Sequence, residues 1–516
     1  MTAIEFETKY LPEPDLVFGN QGEDKDPRIG LRYHGPYFYS TEDTPLESVR
    51  IGIIGNKDCT AMAQNIIKLI QDPVKSPKPN HWLFPDYPGM NKESPFRCNL
   101  ITSPNWNASI SDDYELNKIE KGIGSMNETI AYGVNMYADK VKEIKSGDDW
   151  PNVIICTLPK IVEKHCGISE LTRGAKKVVL TEFEKDIMIK EQTGQTFLDQ
   201  WGVTIPEEEK VKEKSYDFRN SLKGKVMKYG IPIQIIKETT MHQILNYAEL
   251  KKIQKENPAS FSWNFSTALY YKANGKPWRL AKLRQDTCYV GIDFFEDKLH
   301  PNKEIQISMA QVFTHNGEGL VLRGSEVKVD EHSKQAYLKK DQAVALMRRA
   351  LKKYIEKSKR NPSKIVVHKS STFSPEEQEG FNEAIYEIGN IAKDFVAIRP
   401  TYSWVNFLRL GNFPVLRGTM IDIDKSEFLL YTSGYSPRLR SYAGHRVPNP
   451  LRIIHIGDSS KEDMAKEILG LTKLNWNTTS FSTFLPITIH FADEVGKILS
   501  ELKDDKELQD HYRFFM

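Results

Sequence analysis

Apolar positions along the chain fall into two successive blocks, in each of which apolar runs alternate with helical stripes. The first block opens on Val49-Arg50-Ile51-Gly52-Ile53-Ile54-Gly55, an apolar run that ends in glycine. From Ala61 to Ile70 the apolar residues recur three and four apart, which predicts a helix. Three later runs, 153–157 (VIICT), 177–181 (KVVLT) and 231–236 (IPIQII), read as buried strands. Strands alternating with helices predict a parallel, doubly wound sheet with ligand-binding loops beyond its strand ends. The span 185–215 is charged and strand-poor, and reads as a loop or lid.

The second block begins near residue 256. A helix is expected at 262–273, followed by three β-rich runs at 288–295, 304–314 and 319–324. Asn316-Gly317 between the last two is a hairpin signal. A helix is expected at 340–358, a buried strand at 364–368, a helix at 375–388 and a strand at 394–399. Three adjacent strands, helix, strand, helix, strand is the order of a ribonuclease-H-like fold, and fold alone does not fix function.

Composition narrows the class. With 516 residues, 39% hydrophobic and 27% charged, the chain is long enough for two to four domains with their own cores. No uninterrupted apolar stretch of about 18 residues suggests a membrane span. The N-terminus lacks a basic region followed by an apolar one, so a cytoplasmic protein is expected. Five scattered cysteines form no CxxC pair and read as reduced packing residues without a zinc site. A net charge of +2 does not mark the whole chain as a polyanion binder, yet basic residues cluster at 219–228, 272–284 and 348–360. The third cluster reads more simply as a solvated helix face.

The first two clusters carry a chemical pattern. Arg219 and Lys223 are spaced i, i+4, on one side of a helix that ends near Gly230 and Pro232. Gln234 lies on the strand that follows, and Lys272 near the end of the helix that opens the second block. A terminal phosphate needs fixed cations plus neutral donors, and Lys, Arg and Gln supply both. Thr239 and Thr240 come next, open to a capping role or a ligand contact.

These residues resemble the MID domain of Argonaute proteins, and the rest of the chain resembles their PIWI domain. The likeness rests on Arg219, Lys223, Gln234 in GIPIQ, Lys272 in YYKANGKPW, PSKIVVHKSSTFSPEEQEGF (362–381) and LTKLNWNTTSFSTFLPITIHFAD (471–493). It implies a Rossmann-like MID domain at 46–255 and a ribonuclease-H-like PIWI domain at 256–516, after an N-terminal extension at 1–45. It further implies that Arg219, Lys223, Gln234 and Lys272 bind the 5′ phosphate of a guide strand. The C-terminal carboxylate of Met516, in a tail that would otherwise read as frayed, would help hold a Mg²⁺ ion there.

The family's cutting site needs four acidic or histidine ligands around two metal ions. Asp293 in YVGIDFF matches the first position and Asp493 the last. Where active members carry Arg-Asp-Gly, this chain has Lys369-Ser370-Ser371, and Ser370 cannot bridge two cations as a carboxylate does. Glu318 and Glu326 match the remaining glutamate only by position. The site is therefore expected to be degenerate, and the chain not to be a nuclease.

Only some 45 residues precede the MID-like segment, as in short prokaryotic Argonautes. That likeness implies a guide RNA, a single-stranded target DNA and no cleavage. It also implies a heterodimer, with a higher oligomer on activation, formed with an APAZ-containing effector. A TIR domain is favoured there over a SIR2 NADase or a nuclease, in prokaryotic immunity. The rival readings are an active guide-directed nuclease and a stand-alone nucleic-acid binder. A dinucleotide enzyme is disfavoured because IGIIGNKDC is not GxGxxG.

Overall fold

The computed structural model describes residues 6–38, 45–168, 217–249, 257–282, 286–295, 305–311, 319–327, 336–401, 407, 409–442, 447–501 and 509–516. The expected lid at 185–215, the strand at 177–181, the Asn316-Gly317 hairpin and Glu318 lie outside them, as do the side chains of Glu326 and Asp493.

The chain begins with three short strands, β1 (Thr8–Tyr10), β2 (Leu16–Val17) and β3 (Glu23–Asp24), and helix α1 (Pro27–His34). Strand β4 (Ser48–Gly55) follows, then α2 (Lys57–Gln71), β5 (Asn99–Ser109), α3 (Asn117–Lys121), α4 (Met126–Lys145), β6 (Val153–Leu158) and α5 (Lys160–His165). After the undescribed stretch come α6 (Phe218–Val226), β7 (Ile233–Lys237) and α7 (Glu238–Leu245). Four of these strands form an all-parallel sheet in the order β5-β4-β6-β7.

A strand covered on both faces reads as a near-continuous apolar run, as β6 does apart from Thr157 and β4 does from Ile51 onward. Ile51, Ile53, Val153 and Ile155 join one core with α2 and α7. Ile54, Ile154, Cys156 and Leu158 join a second core with α4 and α6. Asn56 starts α2 by accepting from the Cys59 N–H, and Ser125 with Glu128 forms a capping box at the start of α4. Gly230 adopts a left-handed conformation (φ 68°) that turns the chain from the end of α6 into β7.

The second block runs through α8 (Pro258–Lys272), β8 (Arg279–Leu280), β9 (Thr287–Phe295), β10 (Ile305–Gln311), β11 (Leu320–Val327), α9 (Lys340–Ser358), β12 (Lys364–Lys369), α10 (Pro375–Tyr386) and β13 (Ala392–Pro400). This is the element order the sequence predicts. It continues with β14 (Thr419–Asp422), β15 (Glu427–Leu430), β16 (Leu451–Gly457), α11 (Lys461–Leu471) and α12 (Ile487–Leu499). The nine-stranded sheet has the order β1-β14-β15-β16-β13-β12-β9-β10-β11. Here β9, β10 and β11 are antiparallel, and β12 is parallel to both β9 and β13.

Side chains alternate across this sheet. Cys288, Val290 and Ile292 meet α9 and α10, while Tyr289 and Val366 face the core shared with α12. The N-terminal residues belong to the same unit: β1 pairs with β14 and β2 with β8. Among the described residues, no helix is long and apolar enough to cross a membrane.

Candidate functional site

Where the two sheets meet, α6, β7 and α8 enclose a cavity of about 400 Å³. Its wall includes Arg219, Lys223, Gln234, Lys272 and Met516, so the structure brings together all five residues expected to form a phosphate site. Lys223 and Arg219 come from α6, Gln234 from the second position of β7, and Lys272 from the last turn of α8.

Lys272 is the buried member, 2% exposed. Its ammonium donates to the Ile233 carbonyl at 2.8 Å and to Gln234 Oε1 at 2.7 Å. Lys223 Nζ donates to the Phe515 carbonyl at 3.3 Å. Neither lysine forms an ion pair with a carboxylate among the described residues. Burial, with Lys223 nearby, holds the Lys272 ammonium well below its ordinary range. Burial lowers Lys223 to about 8, partly opposed by the charge of Glu494. Two desolvated cations whose hydrogen-bond partners among the described residues are neutral make the cavity suited to an anion. Arg219 is exposed at the rim, where its charge is screened by solvent.

The described lining contains no carboxylate side chain. A divalent cation would therefore have to rest chiefly on the oxygens of a bound phosphate, with amide oxygens and the main chain of the buried Met516 as minor ligands. The donor set suits an anion first and a cation only in its company.

Local sequence reading missed part of this wall. Phe261, Asn264, Phe265, Ala268 and Lys272 all line it, on the i, i+3, i+4, i+7 and i+11 stripe of α8. Lys272 was expected there, but no stripe singled out the other four, because α8 is buried almost all round. Phe261 and Phe265 stack with centroids 5.1 Å apart. Asn477, from the loop before α12, closes one side. The two threonines separate: Thr240 lines the cavity, while Thr239 bonds Glu163 through both its N–H and its hydroxyl.

These shifts set a pH dependence. An anion that takes up a proton on Lys223 binds fully below the empty pocket's value and progressively less above it. Affinity for a phosphate-ended strand is expected to fall from pH 7 to pH 9, about tenfold through Lys223 alone, with the lowered Lys272 adding to the loss. A titration of binding against pH with a 5′-phosphorylated oligonucleotide checks this, and a flat profile to pH 9 would contradict it.

At the other candidate site, Asp293 on β9 and Ser370 just beyond β12 sit side by side. Ser370 Oγ donates to Asp293 Oδ1 at 2.7 Å. The expected pairing of positions is therefore present, with a hydroxyl opposite the carboxylate. Asp493 is on α12. Lys369, beside Ser370, points away into a buried ion pair with Glu377, Nζ to Oε1 2.6 Å. His368 Nδ1 lies 2.7 Å from Thr488 Oγ1, and burial pushes its imidazole down to about 3, so it is neutral. Among the described residues, no group of three His, Cys, Asp or Glu side chains is placed to hold a metal.

No protein-family description matches the chain. Over 263 residues, 46% of this chain and 33% of the relative, it is 25% identical to Protein argonaute of Cereibacter sphaeroides (strain ATCC 17025 / ATH 2.4.3). The structure of Clostridium butyricum Argonaute bound to a guide DNA with a 5′ deoxycytidine and a 19-mer target DNA superposes with a TM-score of 0.62 at 15% identity. That match covers 96% of this chain and 53% of the Clostridium chain, so the chain spans about half of that protein's length. The sequence match shows homology to an argonaute over 263 residues, and the structural match shows an Argonaute-like α/β fold.

Proposed function

We propose that this chain holds the 5′-phosphorylated end of a short guide strand, RNA by the resemblance, in the cavity around Lys272. The guide's bases then recognise single-stranded target DNA by pairing. The observation that carries this is the buried Lys272 ammonium beside Lys223 and Gln234, with no carboxylate side-chain partner among the described residues, at the wall of an open cavity. The Clostridium butyricum Argonaute, whose fold this chain shares, was solved with guide and target DNA. A pocket that fixes one end of the guide leaves sequence recognition to base pairing, as in other guide-directed proteins. A Mg²⁺ ion would be held chiefly by the phosphate oxygens, with the Met516 carboxylate beside them.

Recognition on this reading proceeds without cutting. A two-metal nuclease needs carboxylates to compensate the charge of both ions. Ser370 instead donates a hydrogen bond to Asp293, occupying one of that carboxylate's lone pairs with a neutral group. The consequence of recognition falls to a separate APAZ-containing effector chain, with a TIR domain preferred over SIR2.

The test is direct binding. The unmodified protein should prefer a 5′-phosphate strand over the same strand with a 5′ hydroxyl, and should yield no cut target in Mg²⁺ or Mn²⁺. Equal binding of the two ends defeats the pocket. Guide-dependent products that vanish in Asp293→Ala defeat the non-cutting reading. Co-purification with the co-expressed neighbouring effector tests the partner.

A further inference from the structure

A second feature lies outside the cavity yet is wired to it. Trp82 is 47% exposed, and the guanidinium of Arg440 sits 5.4 Å over its ring. Arg440 adopts φ +50°, a left-handed conformation that costs a non-glycine residue energy. The pair is held from below by Asn80. Its side-chain oxygen accepts from the Trp82 and Leu83 N–H groups, both at 3.1 Å, and its amide donates to the Leu439 carbonyl at 3.4 Å. Further along the same turn, Tyr435 stacks on Phe413 with centroids 4.3 Å apart, and Arg409 sits 5.4 Å over Tyr435.

One arginine joins this ledge to the cavity. Arg28 Nη1 donates to the Leu83 carbonyl at 3.1 Å, and its Nε donates to Thr479 Oγ1 at 2.9 Å. The Thr479 hydroxyl donates to Asn264 Oδ1 at 2.8 Å, and Asn264 lines the cavity. The segment leading to Trp82, VKSPKPNHW, adds Lys75 and Lys78.

We propose that the Trp82–Arg440 ledge is a second contact for single-stranded nucleic acid, gripping base faces and backbone where the cavity grips a terminal phosphate. Every base offers a π-face, so aromatic rings partnered by arginines bind a strand whatever its sequence. Aromatic and arginine side chains also serve protein interfaces. The guanidinium groups on these rings, with Lys75 and Lys78 a few residues before Trp82 in the chain, favour a polyanionic strand as the occupant. That choice of occupant rests on the reading of the cavity, whereas the contact does not use the terminal phosphate.

The experiment compares one oligonucleotide, DNA and RNA, with a 5′ phosphate and with a 5′ hydroxyl, on the full chain. Trp82→Ala should weaken both forms about tenfold and leave their ratio unchanged. Trp82→Phe should recover most of the loss, and Arg440→Gln should flatten the salt dependence of binding. Arg440 is exposed, so its variant keeps the test alive if Trp82→Ala lowers the melting temperature. Unchanged affinity in both variants overturns the proposal. So does unchanged strand binding with loss of a co-expressed protein, which makes the ledge a protein interface. A wild-type chain blind to the 5′ phosphate would sink the cavity reading while the tenfold effect of Trp82→Ala still stood.

Discussion

Replacing Lys223 and Lys272 together by alanine is expected to abolish discrimination between 5′-phosphate and 5′-hydroxyl strands. Each lysine offers a charged hydrogen bond worth about 1.5–3 kcal/mol, so the pair should account for a preference of roughly 10²- to 10⁴-fold. Binding of the 5′-hydroxyl strand should change little, because the lost contacts are those to the phosphate. The single variants should rank by burial. Lys272→Ala, at a site 2% exposed, should cost more than Lys223→Ala, and exposed Arg219→Ala least of all. Competition binding with the two oligonucleotide ends reads the whole series. A retained preference in the double variant would place the phosphate elsewhere.

The ranking follows from structure and was only partly visible in the sequence. Arg219, Lys223 and Gln234 are close along the chain, and one helix, one left-handed glycine and one strand fix their relation. Lys272 was legible from the basic cluster at 272–284 and the YYKANGKPW segment at the end of an expected helix. Asn477 was not, since its place at the cavity depends on a loop approaching from far along the chain. Strand β5 escaped for another reason. It is an edge strand interrupted by Pro104, its register against β4 shifts between Ile51 and Ile53, and it shows no clean alternation. The N-terminal strand β1 gives no local sign of its partner β14, because three exposed residues carry no inward pattern. Local periodicity reports which face is buried, but not which distant element buries it.

The same distinction governs the second large effect, at Glu377. Within its own helix, Glu377 is merely the N3 residue of a capping box begun by Ser374. In the fold it is fully buried and collects four donors. The Leu338 N–H reaches Oε1 at 3.0 Å, the Ser374 N–H reaches Oε2 at 2.8 Å, and Lys369 Nζ bonds both oxygens at 2.6 and 2.8 Å. Lys369 is equally buried, with Phe294 and Tyr337 rings 4.9 and 4.8 Å from its ammonium. Glu377→Ala strands that charge together with two main-chain donors, and should cost about 3–5 kcal/mol of stability. Glu377→Gln keeps an acceptor and should cost less. Lys369→Met with Glu377→Leu removes both charges and should recover part of the loss, a coupling that a double-mutant cycle in denaturant measures. If Glu377→Ala unfolds no more easily than the parent, the pair is not what anchors the turn between β12 and α10. The three donors of Lys369 are spent on Glu377 and on the Thr372 carbonyl, at 3.1 Å, so a large loss would mark the pair as the anchor of the turn that carries Ser370.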